Sequence, residues 1–153
     1  MHIRPATNAD AEAISELVIG SVKSQLAADF TADGLALFVD VSAHEKVAEK
    51  IAAGYFYWVA ESDCGRIAGV CALQGESHLY NLFTCADWYR TGVGRALWAH
   101  ALSWVKARSV REATVNSSSF AVAVYERFGF VKTGPVYESH GILATPMVYC
   151  VVG

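Results

Sequence analysis

Between Tyr55 and Thr84 three strand-like segments follow one another with only short turns between them: "YFYWVAES", "RIAGVCALQ" and "HLYNLFT". The first is rich in aromatic and branched residues, which suit a pleated, half-buried surface, and the third is a near-continuous apolar run. The gaps are too short for a crossover helix, so these neighbours must run antiparallel. The periodicity then changes. "RALWAHALSWVKAR" has helical spacing, with Leu97, Ala101, Trp104 and Val105 on its inner face. "EATVN" reads as a short strand and "SSSFAVAVYERFG" as a capped helix stopped by Gly129. The tail "FVKTGPVYESHGILATPMVYCVV" reads as two strands around "ESHG". Upstream, "HIRPA" is strand-like, and "TNADAEAISELVIGSVKSQL" is a helix capped by Thr7 or Asn8 with Ile14, Leu17 and Val18 on one face. "FTADGLALFVDVSAHEKVAEKIAAG" supplies one or two further helices ending at Gly54. The fold class expected is α/β (α+β): a single domain over residues 1–153, with a mixed, mostly antiparallel sheet flanked by helices.

With 153 residues, 54% of them hydrophobic, the chain can bury a core, and a folded rather than disordered chain is expected. Its net charge of -3 and lack of a basic stripe argue against a nucleic-acid partner. No stretch approaches the roughly 20 apolar residues of a membrane span, and "MHIRPATNADAEAI" lacks the apolar run of a signal peptide. Cys64, Cys71, Cys85 and Cys150 form no C-x-x-C pair, so free thiols in a reducing cytoplasm are expected. The five histidines do not cluster with them, and no metal site is expected. The "NSS" sequon at Asn116 needs export to matter. The terminal "CVVG" resembles a prenylation box only loosely, within an apolar, strand-like tail.

The segment "CADWYRTGVGRALWAHAL" raises a chemical question. Gly92 and Gly94 precede a helix whose first N–H groups lack intrahelical partners and whose dipole is positive at that end. Arg90 and Arg95 add charge, and two missing side chains let an anion approach. A phosphate or diphosphate is the natural guest. A P-loop would need Gly-Lys-Ser/Thr where this chain has "GVGRAL". A dinucleotide turn would need a third glycine where Leu97 stands, in a repeated βαβ layout that the antiparallel tail denies. A plain strand-to-helix turn is the alternative without a ligand.

A second motif lies downstream. "LFTCADWYRTGVGRAL" followed by "NSSSFAVAVYERFGF" resembles the Gcn5-related N-acetyltransferase (GNAT) superfamily. Its signature is Q/R-x-x-G-x-G/A opening a helix, then a helix ending in Tyr-x-x-x-Gly-Phe, here Tyr125, Gly129 and Phe130. The resemblance is best from His78 to Phe130 and reaches loosely to both ends, through "IRPATNADAEAI" and "GRIAGVCAL". Tyr89 stands at the Q/R position with Arg90 one place later, Ser118 where asparagine is common, and Ala86 where proline is common. The resemblance implies acetyl-coenzyme A as donor, an amine as acceptor, and a splay between the fourth and fifth strands. It places the pantetheine beside Leu82, Phe83 and Thr84, and the diphosphate on Tyr89, Arg90, Thr91, Gly92, Val93, Gly94 and Arg95, with Ser118 and Tyr125 further along the cofactor.

Acetyl transfer needs a neutral amine, support for the carbonyl oxygen and a proton for the leaving thiolate. An amine of pKa about 10 is mostly charged at neutral pH, so a base must act. Strand N–H groups near Phe83 suit the oxyanion. The family often uses the tyrosine at Tyr125 as acid, and packing within its helix is the plain alternative. His78 aligns with a glutamate base of the histone-modifying branch and has a suitable intrinsic pKa, against a solvated strand-edge histidine. Glu76, Tyr80, Asn81, Glu138 and His140 are further polar groups near the expected slot, and simple alternation puts His78 and Tyr80 on one face and Asn81 on the other. Cys85 beside the diphosphate loop reads as a bland thiol rather than an acyl carrier. The acceptor is expected against the segment 21–54, where Asp29, Asp33, Asp40 and the "YFYW" edge can meet a cation.

Two functions from different classes follow. One is an N-acetyltransferase acting on a primary amine of a small molecule or peptide by direct attack in a ternary complex. The other is a coenzyme A-binding sensor without turnover. A nicotinamide-dependent oxidoreductase is disfavoured by the topology. The expected partner is the amine acceptor, with a homodimer possible and neither nucleic acid nor membrane involved.

Overall fold

The computed structural model describes residues 1–151; Val152 and Gly153, which end the "CVVG" segment, lie outside the described residues. Among the described residues the strands are β1 (His2–Pro5), β2 (Phe56–Glu61), β3 (Ile67–Gln74), β4 (His78–Thr84), β5 (Glu112–Ser117), β6 (Val131–Lys132), β7 (Tyr137–Ser139) and β8 (Ile142–Cys150). The helices are α1 (Ala11–Ser21), α2 (Ala32–Val41), α3 (His44–Ala52), α4 (Val93–Ala107) and α5 (Val122–Phe128). The sheet order is β1-β2-β3-β4-β5-β8-β6, with β7 pairing β8 along another part of its length. All pairings are antiparallel except β4 with β5.

Two apolar layers cover the sheet. On one face α4 and α5 bury Leu97, Ala101, Val105 and Tyr125 against Cys71, Leu73, Leu79, Ala113 and Val115. On the other, α1 and α3 bury Ile14, Val18 and Val47 against Tyr57, Val59, Val70 and Ala72. The continuous apolar run of β2 and β3 is thus explained: side chains of both parities are buried.

Several boundaries differ from the sequence reading, each for a local reason. The first helix begins with a 3-10 turn at Asn8–Asp10, where Asp10 turns back to accept the Thr7 N–H at 2.8 Å, and a π-turn at Val22–Leu26 ends it. The 32–52 region is two helices broken at Ser42–Ala43, the first capped by Thr31, whose Oγ1 accepts the Gly34 N–H at 3.0 Å. The α5 helix starts at Val122; Ser118 Oγ caps the preceding turn by accepting the Ala121 N–H at 3.2 Å. The tail holds three strands, because the short β6 adds to the hairpin around "ESHG". Trp104 packs half-buried at the rim of the α4-side layer under Arg108, with a 3.4 Å approach to its ring centroid, and Trp98 is buried in the same layer.

Candidate active site

The β4 and β5 strands are paired over only two positions, His78 with Thr114 and Leu79 with Val115. Beyond them β4 stays bound to β3 as far as Thr84, and β5 stays bound to β8 as far as Ser117. The two strands therefore separate and leave a slot whose β4 edge has no strand partner from Tyr80 onward. An unpaired strand edge presents N–H and C=O groups ready to bond an extended, amide-containing guest.

A bulge shapes the start of this edge. Opposite β3, Leu79 pairs with Leu73 but Asn81 pairs with Ala72, so Tyr80 is the extra residue. Regular alternation would have set Asn81 opposite Cys71, on the α4 face. The bulge sets it opposite Ala72, whose side chain lies in the α1–α3 layer. Tyr80 and Phe83 pack in that same layer, whereas Leu82 packs beneath α4. Asn81 thus joins His78 and Tyr80 on one face, correcting the parity read from sequence; nothing in the local residue pattern marks the bulge.

The loop after β4 supplies the second part. Cys85 donates its N–H to Ala68 O, a 3-10 turn spans Ala86–Trp88, and Thr91 closes onto Trp88 O. Arg90 and Gly92 both have positive φ, 61° and 89°. Gly92 is the N-cap of α4, and its conformation is one that L side chains adopt with strain. The backbone N–H groups of Arg90, Gly92, Val93, Gly94 and Arg95 find no acceptor among the described residues. Amides converging at a helix N-terminus form an anion cradle. Gly94 adjoins the slot, since a Cβ built there would lie 3.4 Å from Thr84 Oγ1. Val93 is buried in the core and anchors the loop. The Tyr89 side chain turns toward α1, lining a surface groove with Glu16, Leu17, Ser21 and Ser24. Thr91 Oγ1 donates to Trp88 O at 2.6 Å, and the Arg95 guanidinium lies 5.5 Å from the Phe128 ring centre.

Tyr125 projects from α5 into the α4-side layer, edge-on to Phe128 and Phe130. Burial, with the nearby Cys71 thiol, pushes its phenol well above the ordinary range. Cys71 pairs with Leu82 across the sheet, which puts Tyr125 over the slot-lining strand. His78 lies at the closed end of the slot, half-buried, its Nδ1 2.8 Å from Thr114 Oγ1. Burial lowers its pKa and keeps the imidazole neutral.

Ser118 sits in the turn beyond β5. Its Oγ accepts from Ala121, and its carbonyl accepts the Ser117 hydroxyl at 2.8 Å. The next residue, Ser119, gives its N–H to Asp29 Oδ2 at 2.7 Å. Sequence reading placed Asp29 on the acceptor side but missed this bond. Glu76, Glu138 and His140 are exposed, the latter two on the β7–β8 hairpin. Asp33 and Asp40 lie at opposite ends of α2. Among the described residues no helix is long and apolar enough to cross a membrane.

Solved structures share this architecture. A GCN5-related N-acetyltransferase from Rhodopseudomonas palustris superposes with a TM-score of 0.84 at 21% identity, covering 97% of this chain and 94% of the other. The PaiA N-acetyltransferase from Thermoplasma acidophilum, solved with coenzyme A, gives 0.79 at 17% identity, covering 97% and 98%. YjaB from Escherichia coli gives 0.74 at 25% identity, covering 99% and 97%. No curated protein sequence matches. The family model described as "Acetyltransferase (GNAT) domain" matches residues 26–151, and with the splayed strands and the amide-lined helix start this makes the chain a member of the GNAT acetyltransferase family.

Proposed function

We propose that the protein is an acetyl-coenzyme A-dependent N-acetyltransferase whose acceptor is a primary amine of a small molecule or peptide, attacked directly in a ternary complex. The observation that carries this reading is the two-residue β4–β5 pairing, which opens a slot leading to five unpaired amides. Acetyl-coenzyme A supplies an activated thioester. The amides of Arg90 and of Gly92–Arg95 hold its diphosphate, and the free edge at Leu82–Thr84 holds its pantetheine. The bulge at Tyr80 frees backbone groups where the thioester carbonyl would stop. An N–H held there would stabilise charge developing on that oxygen.

His78 is the proposed base. Its partner orients the ring: with Nδ1–H donated to Thr114 Oγ1, Nε2 keeps the lone pair that takes the amine's proton. Tyr125 is the proposed acid. Its phenol stays protonated through neutral pH. A thiol has an ordinary pKa of about 8.5, below that of this phenol. Complete proton transfer is therefore uphill, and a hydrogen bond to the sulfur as charge grows there is the suited role. Positioning of amine and thioester in one slot supplies much of the remaining acceleration.

The test is thiol release from acetyl-coenzyme A across a panel of amines, with the product identified by mass. Release matched by an N-acetylated amine is expected. Tight coenzyme A binding with no release from any amine would favour the sensor reading, and tighter binding of a nicotinamide dinucleotide would overturn both.

A further inference from the structure

Among the described residues one buried side-chain polar atom has no hydrogen-bond partner, the hydroxyl of Tyr57. Its residue is only 5% exposed. Burial pushes the phenol pKa well up, and the neighbouring Tyr80 and Tyr55 phenols add to the shift. The group is therefore a protonated donor throughout the neutral range. A buried hydroxyl without a partner costs stability, so its retention needs a reason outside the packing. A second, independent group lies beside the same tyrosines. Lys50, on α3, is half-buried, with its Nζ 5.5 Å from the centre of the Tyr80 ring. It donates to Val41 O at the end of α2, and no carboxylate pairs with it among the described residues. The adjacent carboxylate, Glu49, is bound to Lys46 at 3.7 Å. Burial lowers the Lys50 pKa, as it does for an ammonium short of a countercharge.

Strand register brings both groups to the start of the slot. Tyr57 pairs with Ala72 and Ala72 with Asn81, so the three share one row and one face of the sheet. Only the methyl of Ala72 stands between the Tyr57 ring and β4, and the Tyr57 phenol lies within electrostatic reach of Tyr80. Tyr80 is the bulge residue where the free edge of β4 begins, and its ring packs in the same layer, edge-on to Tyr55 at 5.3 Å between centres. Tyr80 is thus the common neighbour of an O–H without an acceptor and an ammonium without a carboxylate.

We propose that Lys50 and Tyr57 together bind a carboxylate of the acceptor beside Tyr80, so that the acceptor class is an amine carrying its own carboxylate, such as a free amino acid. The inference deepens the N-acetyltransferase reading and rests on it. A carboxylate has lone pairs for both donors and brings the charge that Lys50 lacks. A second ammonium at this place would be repelled by Lys50. The pairing also serves the chemistry. An amino acid's carboxylate favours the charged form of its own amine, and Lys50 cancels that field. The neutral nitrogen then attacks the thioester: the C–N bond forms as the C–S bond breaks, the amine's proton passes to His78, and the sulfur leaves with the bonding pair.

The experiment compares straight-chain amino acids of graded length with the alkylamines that match them, using wild type, Lys50→Met and Tyr57→Phe. Met keeps an unbranched apolar stem and removes the charge. Phe keeps the ring and removes only the hydroxyl, so Tyr57→Phe should be at least as stable in urea as wild type. A less stable Tyr57→Phe would show that the hydroxyl already has a partner, and would overturn the proposal. In wild type, kcat/KM should be higher for an amino acid than for its alkylamine. That ratio should fall roughly tenfold to a hundredfold in Lys50→Met and about tenfold in Tyr57→Phe, as expected for loss of charge-assisted hydrogen bonds. A ratio unchanged in both variants, or a wild type that prefers the alkylamines, would overturn the proposal. Calorimetric binding of the amino acid to the coenzyme A complex reads the site without turnover. Binding lost in Lys50→Met, with no amine acetylated by wild type, would leave this proposal standing and overturn the enzymatic reading. Acetylation of alkylamines with no preference for the amino acids would do the reverse.

Discussion

His78 Nδ1 and Thr114 Oγ1 meet at 2.8 Å across one of only two positions where β4 and β5 stay paired. The contact ties the proposed base to the apex of the slot. Burial holds the imidazole pKa below its ordinary value of about 6.5, so its neutral, basic form persists into mild acid. The acid limb of kcat/KM should inflect below that value. His78→Ala should abolish this limb and lower kcat/KM most at acidic to neutral pH, where another base finds little neutral amine. Thr114→Val, which removes the orienting hydroxyl, should lower kcat severalfold and shift the limb. A profile identical in wild type and His78→Ala would return His78 to a purely structural role.

Tyr125→Phe keeps the ring packed against Phe128 and Phe130 and removes only the hydroxyl. If that hydroxyl supports the departing sulfur, kcat should fall by roughly 10² while coenzyme A affinity barely moves. Turnover within about twofold of wild type, with chemistry limiting, would exclude the role. Parallel losses in affinity and turnover would mean that the hydroxyl holds the pantetheine.

The two loop glycines should separate under substitution. Gly92 has φ 89° and open space around its missing side chain. Gly92→Ala should therefore strain the backbone, costing about 1–2 kcal/mol of stability, read as a lower midpoint in urea. Gly94 lies in the first turn of α4, where an added methyl meets only Thr84 Oγ1 at 3.4 Å. Gly94→Ala should fold as well as wild type but lose about tenfold in coenzyme A affinity, the equivalent of roughly 1.4 kcal/mol for one diphosphate bond. Unchanged affinity in folded Gly94→Ala would place the diphosphate elsewhere.

Arg4 binds Asp10 and also Glu61, joining β1, β2 and the entry to α1. The Arg4 bonds hold the Asp10 carboxyl below its ordinary range, and burial opposes them. A carboxyl with a depressed folded pKa contributes stability that is complete above its unfolded value, about 3.9, and is lost as pH falls through the folded value. Asp10→Asn should lower stability at neutral pH and flatten its decline in acid. Denaturant midpoints measured from pH 7 to pH 2 check both effects. A decline as steep as in wild type would assign acid sensitivity to other carboxyls.

The period of 3.6 sufficed to put Leu97, Ala101 and Val105 on the buried face of α4, because one helix against one sheet needs only a stripe. The same stripe holds Trp104, which packs at the rim of that core, edge-on to Trp58 and 4.2 Å from Phe56 between ring centres, under Arg108. Glycine chemistry and the Tyr125-Gly129-Phe130 spacing were equally legible, since a helix start and a helix stop are local events. What the tertiary structure alone decided depends on contacts far apart in the chain. The splay arises because β5 binds β8 along its length but β4 at only two positions. The bulge at Tyr80 is a register choice between β3 and β4, and it moves Asn81 to the α1–α3 face with no change in its own sequence. His78 meets Thr114 across 36 residues and Asp29 meets Ser119 across 90. Residue types and spacings specify where the backbone turns; which polar groups then share a slot is set by strand register and by which layer each segment covers.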